Sequence, residues 1–177
     1  MVARDGVPEL ERAVFEAVNG LPDWLYGPAW IPMQSGSIAG GLILAAALGL
    51  TSRRVVVGAV AAGAVTTVWL VAKEVKELVG RERPFGAGLD VTVRDDSTGL
   101  GYASGHSAVA FALYAVAAPH LRPPWRRAAL GLAGFVAMAR IYSGAHLPLD
   151  VVGGAALGVI IGEAFRAVEA WHAQRRQ

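Results

Sequence analysis

Residues 139–150 read A-R-I-Y-S-G-A-H-L-P-L-D and place an arginine, a histidine and an aspartate in a chain where charge is scarce. Proline is tolerated in the first turn of a helix and poorly in its interior. Pro148 therefore predicts a helix ending soon after Arg140, a turn through Ser143 and Gly144, and a new helix starting near Leu147. His146 then precedes a helix N-terminus, and Asp150 lies within its first turn. Unpaired N–H groups and the positive end of the helix dipole favour an anion there. Asp150, four residues after His146, is spaced to accept a hydrogen bond from one ring nitrogen, leaving the other free to attack. A polar turn with a capping aspartate accounts for this stretch equally well on its own.

Two other polar clusters belong at the same end of the chain's helices. One is K-E-L-V-G-R-E-R-P from Lys76 to Pro84, and the other is Y-A-S-G-H-S from Tyr102 to Ser107. Ser104 is placed to cap a third apolar helix, Gly105 lets backbone approach a ligand closely, and His106 stands in the first turn. Two helix N-termini, each with a histidine, would open toward one pocket, with Lys76, Arg83 and Arg140 supplying positive charge. A phosphoryl group needs several fixed donors for its equatorial oxygens, one nucleophile and one acid in line. Arginine suits bidentate binding of phosphate oxygens. Each piece alone has a plainer reading: snorkelling cations at a helix end, a helix cap, a structural histidine. The specific signal is the ordered set K-x6-R-P, S-G-H and R-x5-H-x3-D, each at the boundary of an apolar run.

The elements that must hold these residues are apolar. The 177 residues are 54% hydrophobic and 17% charged, well below the usual quarter for soluble proteins. The apolar residues come in long blocks and mean hydropathy is +0.44, which predicts an all-α integral membrane bundle forming one domain over residues 1–177. A span needs about 20 residues, and candidates lie at 35–50 (extended back toward Trp30), 55–71 (running on through 72–79 into water), 105–121, 126–141 and 149–167. That makes five transmembrane helices, or six if the N-terminal segment inserts. Residues 8–19 predict an amphipathic helix with Leu10, Val14, Phe15 and Val18 on its apolar side, too charged to span. It belongs on the membrane surface or packed across one end of the bundle. Residues 1–30 form this surface segment and 31–170 the bundle, with Trp24, Tyr26 and Trp30 at headgroup level. Residues 171–177 read as a frayed polar end.

Charge and small residues give sidedness and packing. Arg53 and Arg54, then Arg122, Arg126 and Arg127, then Arg175 and Arg176 fall on one face, which should be cytoplasmic by the positive-inside rule. The face carrying His146, the loop 80–103 and the N-terminal helix should then lie outside. Gly154, Gly158 and Gly162, like Gly36 and Gly40, recur every four residues and permit close helix approach. Packing inside one bundle is the main expectation, with a homo-oligomer seam as the alternative. The chain has no cysteine, hence no disulfide or thiolate metal site. A pI near 9.3 accompanies a net charge of only +2, and no nucleic-acid signature is present. The first twelve residues lack an apolar core and a cleavage site, so no signal peptide is read.

The three motifs resemble those of the membrane-bound type 2 phosphatidic acid phosphatases, a family related by active site to the vanadium-dependent haloperoxidases. Lys76, Arg83 and Pro84 match the first motif, Ser104, Gly105 and His106 the second, and Arg140, His146 and Asp150 the third. The second motif usually begins with proline where this chain has Ala103. The third often has serine where this chain has Ala139. Neither position carries the chemistry. The resemblance implies that His146 attacks phosphorus, that Asp150 holds its tautomer, and that His106 protonates the leaving oxygen and later deprotonates water. Lys76, Arg83 and Arg140 would bind phosphoryl oxygens, aided by Ser104 and the Gly105 N–H, with no metal or other cofactor.

The implied function is hydrolysis of a terminal phosphate from a membrane lipid, such as phosphatidate, phosphatidylglycerol phosphate or polyprenyl diphosphate, at the outer face of the plasma membrane. The alternatives are transfer of the phosphoryl group to an acceptor other than water, haloperoxidase activity, and a non-catalytic membrane scaffold or transporter. Arg81 reads as a solvated loop residue or an extra phosphate ligand. Asp95 and Asp96 are poor metal ligands without a nearby histidine. His120 and His172 read as surface residues on the cytoplasmic side. Tyr102 and Tyr142 flank the site as headgroup contacts or aromatic-belt residues.

Overall fold

The computed structural model describes residues 6–175. The sequence before Gly6, Arg176 in the basic tail and the side chain of His172 lie outside the described residues. Seven α-helices follow in order: α1 Glu9–Asn19, α2 Tyr26–Met33, α3 Ile38–Thr51, α4 Val55–Val79, α5 Gly105–Ala117, α6 Pro123–Tyr142 and α7 Pro148–Gln174. The fold is all-α, as composition predicted. Among the described residues two helices, α4 and α7, are long and apolar enough to cross a membrane. The segment Asp23–Gly36 and helix α3 would count as a third if taken as one broken span, bent by 65°. Five to six spans are therefore not established by length and composition. At 13 residues α5 is shorter than expected, because its apolar run ends in a 3-10 turn at Ala118–His120. Helix α7 continues through Gln174 where a frayed tail was expected, and Arg175 stacks on Trp171 at 3.7 Å.

Helices α5 and α7 form the centre, and their glycines explain why. A methyl group on Gly154 would meet the Ser104 carbonyl oxygen at 2.3 Å, on Gly158 the Ala108 oxygen at 2.3 Å, and on Gly162 the Ala112 oxygen at 2.7 Å. The stripe is thus spent inside the chain, where lipid supplies no hydrophobic drive and close van der Waals packing does the work. Gly49 of α3 and Gly58 of α4 face each other in the same way. Gly36 also packs within the chain, against Val136 and the His106 carbonyl.

Helix α1 is docked across one end of the bundle, with Phe15 and Val18 of the expected apolar side packed inward and Leu10 and Val14 left outside. Leu10 is 78% exposed and Val14 39%, whereas Glu11, Phe15 and Asn19 are buried. Those three recur at i, i+4 and i+8, so they share one face. Phe15 packs with Leu89, Ile141, Leu147 and Val151, a burial contributing about 2 kcal/mol. Asn19 donates to the carbonyls of Thr92 and Tyr142 (3.0 Å each) and accepts from the Thr92 N–H (2.9 Å). Arg94 adds bonds to the carbonyls of Asn19, Leu21 and Tyr142 and pairs with Asp23. Together they pin the loop 80–104 and the turn after α6 to the N-terminal segment.

Gly158→Val puts two methyl groups into backbone only 2.3 Å from the glycine's notional Cβ, an overpacking that should cost about 1–3 kcal/mol. A lowered thermal midpoint in detergent checks this. An unchanged midpoint would mean that α5 and α7 are not in contact as described.

Candidate active site

Chain direction brings the three motifs to one end. Helix α4 ends at Val79 with Lys76 in its last turn, α5 and α7 begin there, and α6 ends there with Arg140. The basic connections, with Arg53, Arg54, Arg122, Arg126 and Arg127, fall at the opposite end. Two turns set the geometry. Gly80 closes α4 in the left-handed conformation (φ 65°). Gly144 does the same after α6 (φ 78°), and a methyl group there would lie 2.7 Å from the Thr92 carbonyl oxygen. Glycine alone tolerates both demands. The Ala145 and His146 N–H groups then donate to the Arg140 carbonyl (3.2 Å each), which folds the turn back under the end of α6.

His146 is 2% exposed and Asp150 fully buried. Nε2 of His146 lies 3.4 Å from Arg83 Nη1. An arginine nitrogen only donates, so this contact places the lone pair on Nε2 and the proton on Nδ1. Nδ1 faces Asp150 Oδ2 at 3.5 Å, close enough to orient the ring though longer than a formed hydrogen bond. Burial, then the charges of Arg140, Arg83 and Lys76, hold the imidazole's pKa well below its ordinary 6.5. His146 is therefore neutral at neutral pH, with Nε2 toward the cations.

Backbone carbonyls hold two of these cations, and side chains hold the third. Lys76 Nζ donates to the Leu100 and Gly101 carbonyls at 2.9 Å each. Arg83 Nε donates to Thr98 and Gly99 oxygens at 3.1 and 3.0 Å, and Nη1 to the Ala145 oxygen at 2.6 Å. Arg140 Nη2 donates to Ser97 Oγ at 2.7 Å, Nη1 pairs with Asp95, and buried Nε has no partner among the described residues. Burial, then the neighbouring Arg140 charge, lowers the pKa of Arg83. Lys76 and Arg83 are thus fixed in place by carbonyls without a carboxylate to cancel their charge, whereas Arg140 has Asp95.

The second motif differs from expectation in one respect. Ser104 occupies the N-cap position of α5, but its side chain makes no capping bond, and Oγ is buried without a partner among the described residues. Its main chain instead ties α5 to α7, the N–H donating to the Asp150 carbonyl at 2.9 Å. A methyl group on Gly105 would meet nothing within 4 Å, so the space beside that residue is open. His106, in the first turn, has no side-chain hydrogen bond among the described residues.

Asp150 has partners the sequence did not reveal. Its Oδ2 accepts the Leu147 N–H at 2.9 Å, and its Oδ1 accepts from Arg81 Nη1 at 2.9 Å. Arg81 Nη2 pairs with Glu11 Oε2 at 2.6 Å. Arg81, its side chain 24% exposed, is thus held by two carboxylates on the Asp150 side of His146. Burial opposes its charge, but Glu11 and Asp150 outweigh that and raise its pKa. Asp95 pairs with Arg140. Tyr142 donates to the Pro22 carbonyl at 2.7 Å and lies under Arg94, a structural role. Tyr102 lies on α7 against Gly153. His120, at the far end, is half-buried 3.6 Å from Glu169. Glu11 carried a signal: with Phe15 and Asn19 it forms an i, i+4, i+8 row that the apolar residues masked.

Comparison with curated proteins finds no match. Solved structures share the fold, among them the following two. The crystal structure of the first transmembrane PAP2 type phosphatidylglycerolphosphate phosphatase from Bacillus subtilis is 24% identical with a TM-score of 0.78, the match covering 91% of this chain and 85% of that one. Aquifex aeolicus LpxE is 23% identical with a TM-score of 0.78, over 93% of this chain and 98% of that one. A family profile described as the PAP2 superfamily matches residues 52–173, taking in all three motifs. The chain belongs to the PAP2 superfamily of membrane phosphatases.

Proposed function

We propose that the protein hydrolyses a terminal phosphate from a membrane lipid through a phosphohistidine on His146. The observation that carries this reading is His146 Nε2 beside Arg83, with Asp150 behind the other ring nitrogen, an arrangement that favours a free lone pair on Nε2. In the first step Nε2 forms a bond to phosphorus as the bond to the leaving oxygen breaks, and His106 gives that oxygen its proton. In the second, His106 takes a proton from water, which attacks phosphorus and frees Nε2. Lys76, Arg83 and Arg140 bind the three equatorial oxygens, and the Gly105 N–H at the start of α5 adds a donor. Asp150 stabilises the positive imidazole that forms. The dianionic phosphate also offsets the cation cluster around His106, which favours the protonated acid.

In this reading α3 to α7 form a five-span bundle with the site on the outer face, a sidedness supported by the arginines gathered in the connections at the opposite end. A lipid's phosphate then reaches His146 while its tail stays in the bilayer. Phosphatidylglycerol phosphate, the class named for the Bacillus subtilis structure, and polyprenyl diphosphate fit that placement, as does phosphatidate.

A phosphate-release panel in detergent over these three lipid classes tests the proposal. At least one should be hydrolysed, and His146→Ala should lose about 10³-fold or more in kcat for it. Full activity of that variant on every substrate would sink the reading. The pH profile gives a second check. Neutral His146 is the reactive form, so activity is present above its pKa and lost as pH falls through it. Because that pKa is lowered from 6.5, the acid limb of kcat/KM should lie below pH 6.5. A limb above the ordinary histidine value would contradict the assignment.

A further inference from the structure

The N-terminal helix precedes the residues matched by the family profile, which begin at 52. It nonetheless sends a carboxylate into the site. Glu11 is 6% exposed. Its Oε2 accepts from Arg81 Nη2 at 2.6 Å, and its Oε1 accepts the Leu149 N–H at 2.9 Å. Arg81 Nη1 reaches on to Asp150 Oδ1 at 2.9 Å, and Asp150 Oδ2 stands 3.5 Å from His146 Nδ1. The chain of contacts runs from α1 through the loop after α4 to the first turn of α7 and the imidazole. Burying a charged side chain is costly unless it is paired, and here every charge on the path has a charged partner.

We infer that Glu11 is a positioning residue, acting through Arg81 and the α7 N-terminus to hold Asp150 against His146 and to keep the net charge behind the imidazole negative. The inference rests on the proposed role of His146. The charge count gives it content. Glu11 and Asp150 outnumber Arg81 by one negative charge, so the group behind Nδ1 favours the positive imidazole of the phosphoenzyme. Without the Glu11 charge, Arg81 and Asp150 cancel each other, and Arg81 loses one of the two anchors that fix its fork. The other charged groups facing His146 are Arg83 from the loop, Lys76 from α4, Arg140 from α6 and His106 from α5, none of which is anionic.

Glu11→Gln is the informative change, because glutamine keeps the shape and an oxygen for the Leu149 N–H. The expected result is a kcat about tenfold lower with KM within about twofold, and an acid limb displaced to lower pH, since less negative charge makes His146 harder to protonate. The thermal midpoint in detergent should stay close to that of the unaltered protein. Arg81→Gln should lower kcat at least as far, and adding Glu11→Gln to it should cost less than about twofold more, because Glu11 acts through Arg81. Arg81→Lys, which keeps the charge without the fork, reads the same link should Glu11→Gln fold poorly. It too should lower kcat with KM unchanged. Wild-type kcat in Glu11→Gln, an unshifted limb, multiplicative losses in the double variant, or full activity in Arg81→Lys would each overturn the inference. An inactive His146→Ala beside an unaffected Glu11→Gln removes this inference alone, whereas an active His146→Ala removes the proposed function itself.

Discussion

Holding Lys76, Arg83 and Arg140 together at the end of an apolar bundle is the constraint on which the rest of the structure depends. Like charges at such distances repel strongly when water is scarce. A bundle of α4 to α7 alone would splay its cationic ends. The 80–104 loop resolves this by turning carbonyls at Thr98, Gly99, Leu100 and Gly101 toward Lys76 and Arg83. Carbonyl dipoles fix a cation's position while leaving most of its charge unneutralised. Only Arg140, lying deepest, takes a carboxylate, from Asp95. A long loop without regular structure is costly to order, and here the N-terminal segment supplies the order: Asn19 of α1 binds Thr92, and Arg94 of the loop donates to the Asn19 and Leu21 carbonyls.

The second requirement is that two helices begin at the same place. The glycine row of α7 lets α5 approach until backbone touches backbone, and the Ser104 N–H then reaches the Asp150 carbonyl. Two positive helix ends side by side are unfavourable without an anion between or beside them. Carboxylates meet that need at α7, where Asp150 accepts the Leu147 N–H and Glu11 the Leu149 N–H. The start of α5 has no such carboxylate among the described residues, and the space beside Gly105 is open. Packing in the apolar part of the chain thus sets the electrostatics of the polar end.

Much of this was legible in the sequence. Pro148 and the Ser143–Gly144 turn mark a helix start and a helix end, so the placement of His146 before a helix followed from local chemistry, and Lys76 falls at the end of the second apolar run as expected. The i, i+4 spacing of His146 and Asp150 likewise foretold their approach. What the sequence concealed came from long-range partners. Arg81 at position 81 has no local reason to prefer Glu11, seventy residues away, over water. Ser104 has the right type and place for a cap, yet its buried side chain leaves the backbone to other partners. The expected apolar side of α1, Leu10, Val14, Phe15 and Val18, is only half inward, Phe15 and Val18 packing while Leu10 and Val14 are exposed. A helix lying across a polar site instead buries the residues that serve the site, with Phe15 between Glu11 and Asn19.

Arg81 and Arg83 show how far residue type falls short of role. They are two positions apart in one irregular segment, carry the same group and lie on opposite sides of one imidazole. Arg81 meets two carboxylates, and its pKa is raised. Arg83 meets carbonyls, the lone-pair nitrogen of His146 and the field of Arg140, and its pKa is lowered. The first has its charge spent on Glu11 and Asp150. The second has charge left over, on the side of His146 where the proposed nucleophile points. A phosphoryl group entering there would complete for Arg83 what Glu11 and Asp150 already complete for Arg81. The same guanidinium is thus neutralised structure behind the ring and uncompensated charge in front of it, and the difference is set by which carboxylates the fold has delivered.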